Sequence, residues 1–335
     1  MTGTVLALSL GDPSGIGPEI IAKAWQALSA SGPAFIVVGD ADLLARTGIP
    51  VQVVSDPRKS EAVFKTALPV LDQPIGHAVT PGQPSPDHAK ATIGWITQAL
   101  DLVVSGQASG LVTAPIAKAP LYSAGFKFPG HTEFLADLTT HLPMSAPRGP
   151  VMMLTSGDLR AVLATVHVPL AKVSLALSIE TIVQTARVTA AALKQDFGID
   201  RPRLALAGLN PHAGEGGAIG DEEIRILIPA AAQLRAEGIN CTDPRPSDTL
   251  FHAEARQTYD AVICLYHDQA LIPVKMLDFW GGVNVSLGLP IVRTSPDHGT
   301  GFDIAGKGIA RADSMIAAIR LADQIAQTRA RAIGP

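Results

Sequence analysis

Three short apolar runs in this chain each lead into a histidine, and that pattern limits what the chain can fold into. Ala161-Val162-Leu163-Ala164-Thr165-Val166 leads to His167, and Leu204-Ala205-Leu206-Ala207-Gly208-Leu209-Asn210-Pro211 leads to His212. Ala261-Val262-Ile263-Cys264-Leu265-Tyr266 leads to His267, with Asp268 directly after. Short runs rich in aliphatic and β-branched residues read as buried strands. In an open α/β sheet, ligands collect beyond the carboxyl ends of the strands. Three imidazoles delivered there would form a metal site with an open coordination position, as catalysis requires. A single histidine at a strand end is ordinarily a surface or hydrogen-bonded residue; three in like contexts favour a site. The spacing alone does not prove metal, because the chain has no HExxH helix and no paired CxxC.

Elsewhere, strand-like runs alternate with helical ones, the pattern of a mainly parallel sheet covered by helices. Strands are expected at Thr4–Leu10, Ala34–Val38, Val51–Val54, Gly110–Thr113, Val151–Leu154, Leu159–Ala164, Leu204–Ala207 and Ala261–Leu265. Helices are expected from Pro18 to about Leu28, His88–Val104, Ser178–Lys194, Asp221–Glu237 and Met315–Arg329, and Pro69–Pro86 reads as a long surface connection. A chain of 335 residues is long for one core and suggests two domains. Lys127-Phe128-Pro129-Gly130 and the turn cluster at Ser295–Gly299 mark the joins. We therefore expect one domain from 1–128 plus 299–335 and a second from 129–298.

Composition excludes several classes. Hydrophobic residues make up 47% of the chain, enough for a sizeable interior, and the formal charge of −4 includes no basic stripe for nucleic acid. The two cysteines make no disulfide framework, and Cys264 within an apolar run reads as a buried reduced thiol. No signal-peptide pattern and no membrane-length apolar segment is visible, so a soluble cytoplasmic protein is expected.

Four further segments carry chemistry. Gly11-Asp12-Pro13-Ser14-Gly15-Ile16-Gly17-Pro18-Glu19 joins a strand to a helix, where free amides could hold an anion. This makes Gly11, Asp12 and Gly15 the candidates for cofactor binding, although the loop is neither a Walker A motif nor a full GxGxxG. In Phe128-Pro129-Gly130-His131-Thr132-Glu133, Thr132 suits a helix N-cap, and His131 is placed to meet a phosphate or carboxylate. The glycine-rich Asn210–Gly217 segment reads as a site loop, followed by a helix N-terminal turn at Asp221-Glu222-Glu223. Lys275, Asn284 and Arg293 lie in otherwise apolar surroundings, and cations buried beside strands require a salt-bridge partner or an anionic ligand.

GDPSGIGPE, GHTEFLA, NPHAGEGG, YHDQ, VNVSLGLP and RTSPDHGT occur in this order along nearly the whole chain. Together they closely resemble the 4-hydroxythreonine-4-phosphate dehydrogenase family of pyridoxal 5′-phosphate biosynthesis. The opening loop also resembles the GDGIGPE loop of isocitrate and isopropylmalate dehydrogenases. The resemblance implies two α/β/α domains with mainly parallel sheets, an active site in the interdomain cleft, and a homodimer. It implies NAD or NADP bound without a Rossmann fingerprint, and a divalent metal (zinc, magnesium or cobalt). By motif, His167, His212 and His267 correspond to metal ligands shared between the subunits. His131, Thr132, Lys275, Asn284 and Arg293 correspond to contacts with a small phosphorylated amino-acid substrate. Asp248 and Asp268 match acidic residues near the metal, and Lys275, Asp268 and Asp248 are the catalytic candidates.

The implied reaction is oxidation of 4-phosphooxy-L-threonine at C3, followed by loss of carbon dioxide. The nearest rivals are a 4-phospho-threonate or 4-phospho-erythronate dehydrogenase, a metal-dependent lyase without a redox step, and a non-catalytic metal-binding protein. Gathered cations argue against the last, since a storage site needs no anion clamp.

Overall fold

The computed structural model describes residues 5–333. The chain forms two compact units, one from the residues up to Phe134 with Ile291–Gln327, the other from Leu135–Pro290 with the residues from Thr328. The first join lies beyond the Pro129-Gly130 break. Phe126, Phe128 and Phe134 pack ring to ring, with centroids 5.1 to 5.4 Å apart, and carry the chain past that break. The return join lies before the Ser295–Gly299 turn cluster, because the strand containing Arg293 pairs within the first unit.

The strands are β1 (Leu6–Ser9), β2 (Phe35–Gly39), β3 (Val51–Val53), β4 (Leu68–Asp72), β5 (Leu111–Thr113), β6 (Val151–Ser156), β7 (Leu159–Leu163), β8 (Arg203–Ala207), β9 (Asn240–Arg245), β10 (Ala261–Cys264), β11 (Val283–Leu287) and β12 (Arg293–Pro296). The helices used below are α1 (Gly17–Leu28), α2 (Ala89–Val104), α3 (His131–Leu138), α4 (Ile179–Phe197), α5 (Ile228–Ala236), α6 (His267–Leu277) and α7 (Asp313–Ile333).

In the first unit the strand order is β3-β4-β2-β1-β5-β12, and every pairing is parallel. All four residues of β1 are buried, as a central strand covered on both faces requires. Helix α1 starts with Pro18 in its first turn and buries Ile20, Ile21, Ala24, Trp25 and Leu28, one face at helical spacing. Full burial of each large side chain contributes about 1.5–3 kcal/mol. Helix α2 packs on β1 and β2, and α7 buries Met315, Ala318, Ile319 and Ala322. The expected surface connection from Pro69 is corrected: Leu68–Asp72 is a strand between β2 and β3. Its proline and the Gly- and Pro-rich residues after it mask a short buried run.

In the second unit the order is β11-β6-β7-β10-β8-β9. β11 and β6 pair antiparallel, as do β6 and β7, whereas β7, β10, β8 and β9 run parallel. The core lies on this parallel part and includes Leu163, Ala205, Ala207, Val262, Cys264, Ala270 and Val274. Helix α4 is capped by the Ser178 hydroxyl, which accepts from the Thr181 amide at 3.1 Å, and ends on left-handed Gly198. The helix expected over Asp221–Glu237 is a wide π-turn at Glu223–Leu227 running into α5. Both cysteines are buried free thiols. Burial pushes the Cys241 thiol up to about 12 and raises that of Cys264 further. No helix among the described residues is long and apolar enough to cross a membrane.

Candidate active site

The first unit gathers an anion-seeking cluster. Arg293, the first residue of β12, is only 3% exposed. Its Nη2 donates to Thr113 Oγ1 at the end of β5 (2.7 Å), and its Nη1 lies 3.5 Å from Thr132 Oγ1 on α3. Both of these contacts are to neutral hydroxyls. Burial lowers the guanidinium to about 10, with the nearby Glu133 carboxylate acting in the opposite direction. His131, the first residue of α3, has its Nε2 shut off from solvent with no hydrogen-bond partner among the described residues. Burial, and then the positive charges of Arg293 and Lys118, hold this imidazole well below its usual range. Both shifts arise first from burial, which penalises the charged form. The first helical residue is thus His131 itself, with Thr132 second, where the sequence suggested Thr132 as the cap.

Three amides of the opening loop are engaged within the protein. The Ser14 amide donates to Asp12 Oδ1 (3.0 Å), the Gly15 amide to the Asp12 carbonyl (3.1 Å), and the Ile16 amide to the Thr300 carbonyl (2.9 Å). The Asp12 carboxyl is raised by burial, against the pull of the Ser14 amide and His88. Gly11 has φ +79°, and a Cβ there would fall 2.6 Å from the Pro115 carbonyl, so glycine is required for backbone approach. Gly15 lines a cavity of about 430 Å³ in the same unit, together with Pro13, Arg46, Thr47, Pro81 and Gly306.

In the second unit the three histidines follow three adjacent parallel strands. His167 follows β7, His267 opens α6 after β10, and His212 follows β8, with β10 lying between β7 and β8. The His167 and His267 rings stand 6.1 Å apart. His267 Nδ1 lies 2.6 Å from Asp268 Oδ1, a carboxylate–imidazole arrangement that orients metal-binding rings. Among the described residues of one chain, however, no group of three or more His, Cys, Asp or Glu side chains is placed to hold a metal ion. The site expected to be preformed at the strand ends is therefore not assembled within one chain. The donor chemistry itself, two imidazoles with a carboxylate behind one of them, fits a divalent cation.

The other candidates are more dispersed. Lys275 is not buried beside a strand but half-buried on α6, its Nζ 5.3 Å from the Phe279 ring centroid. The helix runs through Pro273. Asn284 lies on β11 with its Oδ1 buried and without a partner among the described residues. Asp248 is exposed on the short turn Ser247–Thr249, next to Ser247, whose hydroxyl donates to the Gly208 carbonyl (2.9 Å).

The description "Pyridoxal phosphate biosynthetic protein PdxA" belongs to a family model that matches residues 32–322. The chain is a member of the PdxA family. A PdxA relative from Caulobacter vibrioides, named 4-hydroxythreonine-4-phosphate dehydrogenase, is 63% identical over 98% of this chain and 99% of its own length. One of the same name from Maricaulis maris is 57% identical, covering 97% and 98%. The crystal structure of 4-hydroxythreonine-4-phosphate dehydrogenase from Klebsiella pneumoniae superposes with a TM-score of 0.86 at 38% identity, covering 97% of this chain and 98% of that one.

Some residues of this PdxA chain that bear on the site were not singled out from sequence. Thr113 and Lys118 surround Arg293 and His131, yet neither stands in an unusual sequence context. The loop carrying His212 is a left-handed turn: His212, Ala213 and Glu215 have φ of 53°, 50° and 46°. Side-chain-bearing residues in this region cost about 1–2 kcal/mol each, so the turn must be held from outside. Glu223 reaches it with a buried carboxylate, where the sequence suggested only a solvated acidic helix start.

Proposed function

We propose that this chain oxidises 4-phosphooxy-L-threonine at C3 with NAD or NADP to 2-amino-3-oxo-4-phosphooxybutanoate, which decarboxylates to 3-amino-2-oxopropyl phosphate in pyridoxal 5′-phosphate biosynthesis. The observation that carries the reading is the buried Arg293–His131–Thr132 cluster, a guanidinium beside a buried ring nitrogen without a hydrogen-bond partner among the described residues, which suits a phosphate ester. The names of the close relatives support the same substrate.

Each group then has a role. Arg293 and Thr132 hold the phosphate, and His131, neutral in the free protein, donates to it from its otherwise unpartnered ring nitrogen. His167, His212 and His267 would hold a divalent cation (zinc, magnesium or cobalt), with Asp268 orienting His267. When bound, that cation supplies Lewis-acid polarisation of the C3 oxygen, and the nicotinamide supplies the hydride acceptor. Lys275, an amine on the same helix as His267 and Asp268, is assigned the hydroxyl proton. The cavity beside Gly15, walled in part by Arg46, is assigned to the cofactor.

We also assign a second copy of the chain as the partner that completes the cation site. Ten of the fourteen large exposed apolar side chains among the described residues belong to the second unit, including Leu175 (85% exposed) and Met276 (81%). Apolar surface on this scale is characteristic of a subunit interface.

The deciding experiment is nicotinamide reduction with 4-phosphooxy-L-threonine and with 4-phospho-threonate, using NAD and NADP, with and without chelator. Preferential turnover of the amino acid, lost in chelator and restored by a divalent cation, is the expected result. Preference for the threonate moves the chain to the sister activity, and no reduction with either ends the dehydrogenase reading. His212→Ala should abolish both turnover and metal retention; full activity of that variant in chelator removes the metal from the mechanism.

A further inference from the structure

Six consecutive residues, His212 to Gly217, hold φ between 46° and 98°. A run of this kind has no propensity to form by itself, least of all at Ala213 and Glu215. Something outside the turn must therefore fix it. The group in position to do so is Glu223, the first residue of the following π-turn and 2% exposed. Its Oε1 accepts from the backbone amides of Leu209 and Asn210, both at 2.8 Å, and its Oε2 accepts from Asn210 Nδ2 at 2.8 Å. Asn210 Nδ2 also donates to Glu222 Oε2 at 2.8 Å, which fixes the amide plane. The turn then closes over the carboxylate. A Cβ at Gly214 would sit 2.8 Å from Glu223 Oε2 and 2.9 Å from the Gly220 carbonyl, so only glycine fits.

We propose that Glu223 is a positioning residue: its buried carboxylate pins Leu209 and Asn210 and so locks the left-handed turn that presents His212. The carboxylate does not touch the imidazole. It acts through the backbone, by setting where the strained turn begins. For what His212 does, this rests on the metal-dependent reading above; for whether the turn is held, it does not.

The experiment uses the full chain and four variants: E223A, E223Q, H212A, and E223A combined with A213G and E215G. Three readings are taken: amide hydrogen exchange across 208–220, zinc affinity of the metal-stripped protein by competition with a chromophoric chelator, and kcat separately from KM. E223A should speed exchange in that segment at least tenfold, on the order of the local opening it releases. Zinc affinity and kcat should fall by roughly 10–100-fold, the usual effect of removing a group that orients a metal ligand. KM should hold, since the phosphate contacts belong to the other unit. E223Q keeps an oxygen for the two backbone amides and should fall between.

The decisive variant is the triple one. Glycine at 213 and 215 removes the Cβ penalty of the left-handed turn, so it should recover much of the lost affinity without restoring the carboxylate. Unchanged exchange and zinc affinity in E223A would overturn the proposal, as would a folded triple variant that recovers nothing. Should E223A fail to fold, E223Q and the triple variant decide by the same readings. Failure of the metal reading would look different: wild type and H212A would bind zinc equally, while the exchange and kcat changes in E223A would still judge Glu223.

Discussion

The anion cluster of the first unit and the imidazole set of the second solve different problems of assembly. Arg293, Thr113, Thr132 and His131 come from a buried strand, a strand end and a helix start, all within one chain, and are held together by that chain's own packing. The imidazoles follow three neighbouring strands; the His167 and His267 rings stand 6.1 Å apart, and His212 sits on a turn that strains its own backbone. Charge recognition can be preorganised by burial inside one unit. A cation site is more demanding in geometry.

The largest expected effect breaks the first half of that contrast. Arg293→Ala leaves Thr113, Thr132 and His131 without the central cation, and kcat/KM for the phosphorylated substrate should drop by roughly 10²–10³-fold, the scale of losing charge-assisted hydrogen bonds. Steady-state kinetics read it; an unchanged KM would count against the phosphate role. Next in size is the second half. Leu175→Asp with Met276→Asp should yield a monomer by sedimentation velocity, with zinc affinity reduced roughly tenfold or more for want of a partner. Binding of inorganic phosphate by calorimetry should survive in that monomer. If zinc affinity survives as well, the second site does not need another chain.

The smallest effect concerns pH. The His131 imidazole is depressed in the folded state below its usual 6.5, so unfolding takes up a proton in acid. The stability associated with keeping it neutral is present above 6.5 and is lost progressively as pH falls below that value. Thermal melts across this window should therefore slope more steeply for wild type than for His131→Gln. Parallel slopes would mean that the ring is not held neutral.

Much of the frame was legible because buried strands announce themselves. β1, β2, β5, β7, β8 and β10 are short aliphatic runs, and α1 has its proline start and one apolar face. β9 (Asn-Cys-Thr-Asp-Pro-Arg) was not, because it is a partly exposed edge strand with neither apolar alternation nor a full set of donors. β12 is the opposite case: Arg293-Thr294-Ser295-Pro296 is polar in sequence yet wholly buried, with Arg293 bonded to Thr113 and the Thr294 hydroxyl to the Ala318 carbonyl. The histidines and Arg293 stood out because such residues are rarely placed in apolar surroundings without reason. Glu223 did not, because an acidic residue at a helix start is ordinary, and only its hydrogen bonds to Leu209 and Asn210 distinguish it. A left-handed turn containing Ala213 and Glu215 runs against local preference, and no reading of propensity would find it.

The two native thiols leave an experimental opening. A thiol reacts as its thiolate, and burial makes that form scarce at both Cys241 and Cys264. Maleimides and spin labels should therefore pass over the native chain. A cysteine introduced at an exposed position such as Glu61 or Gln107 would take up probe alone, giving a reporter on a silent background.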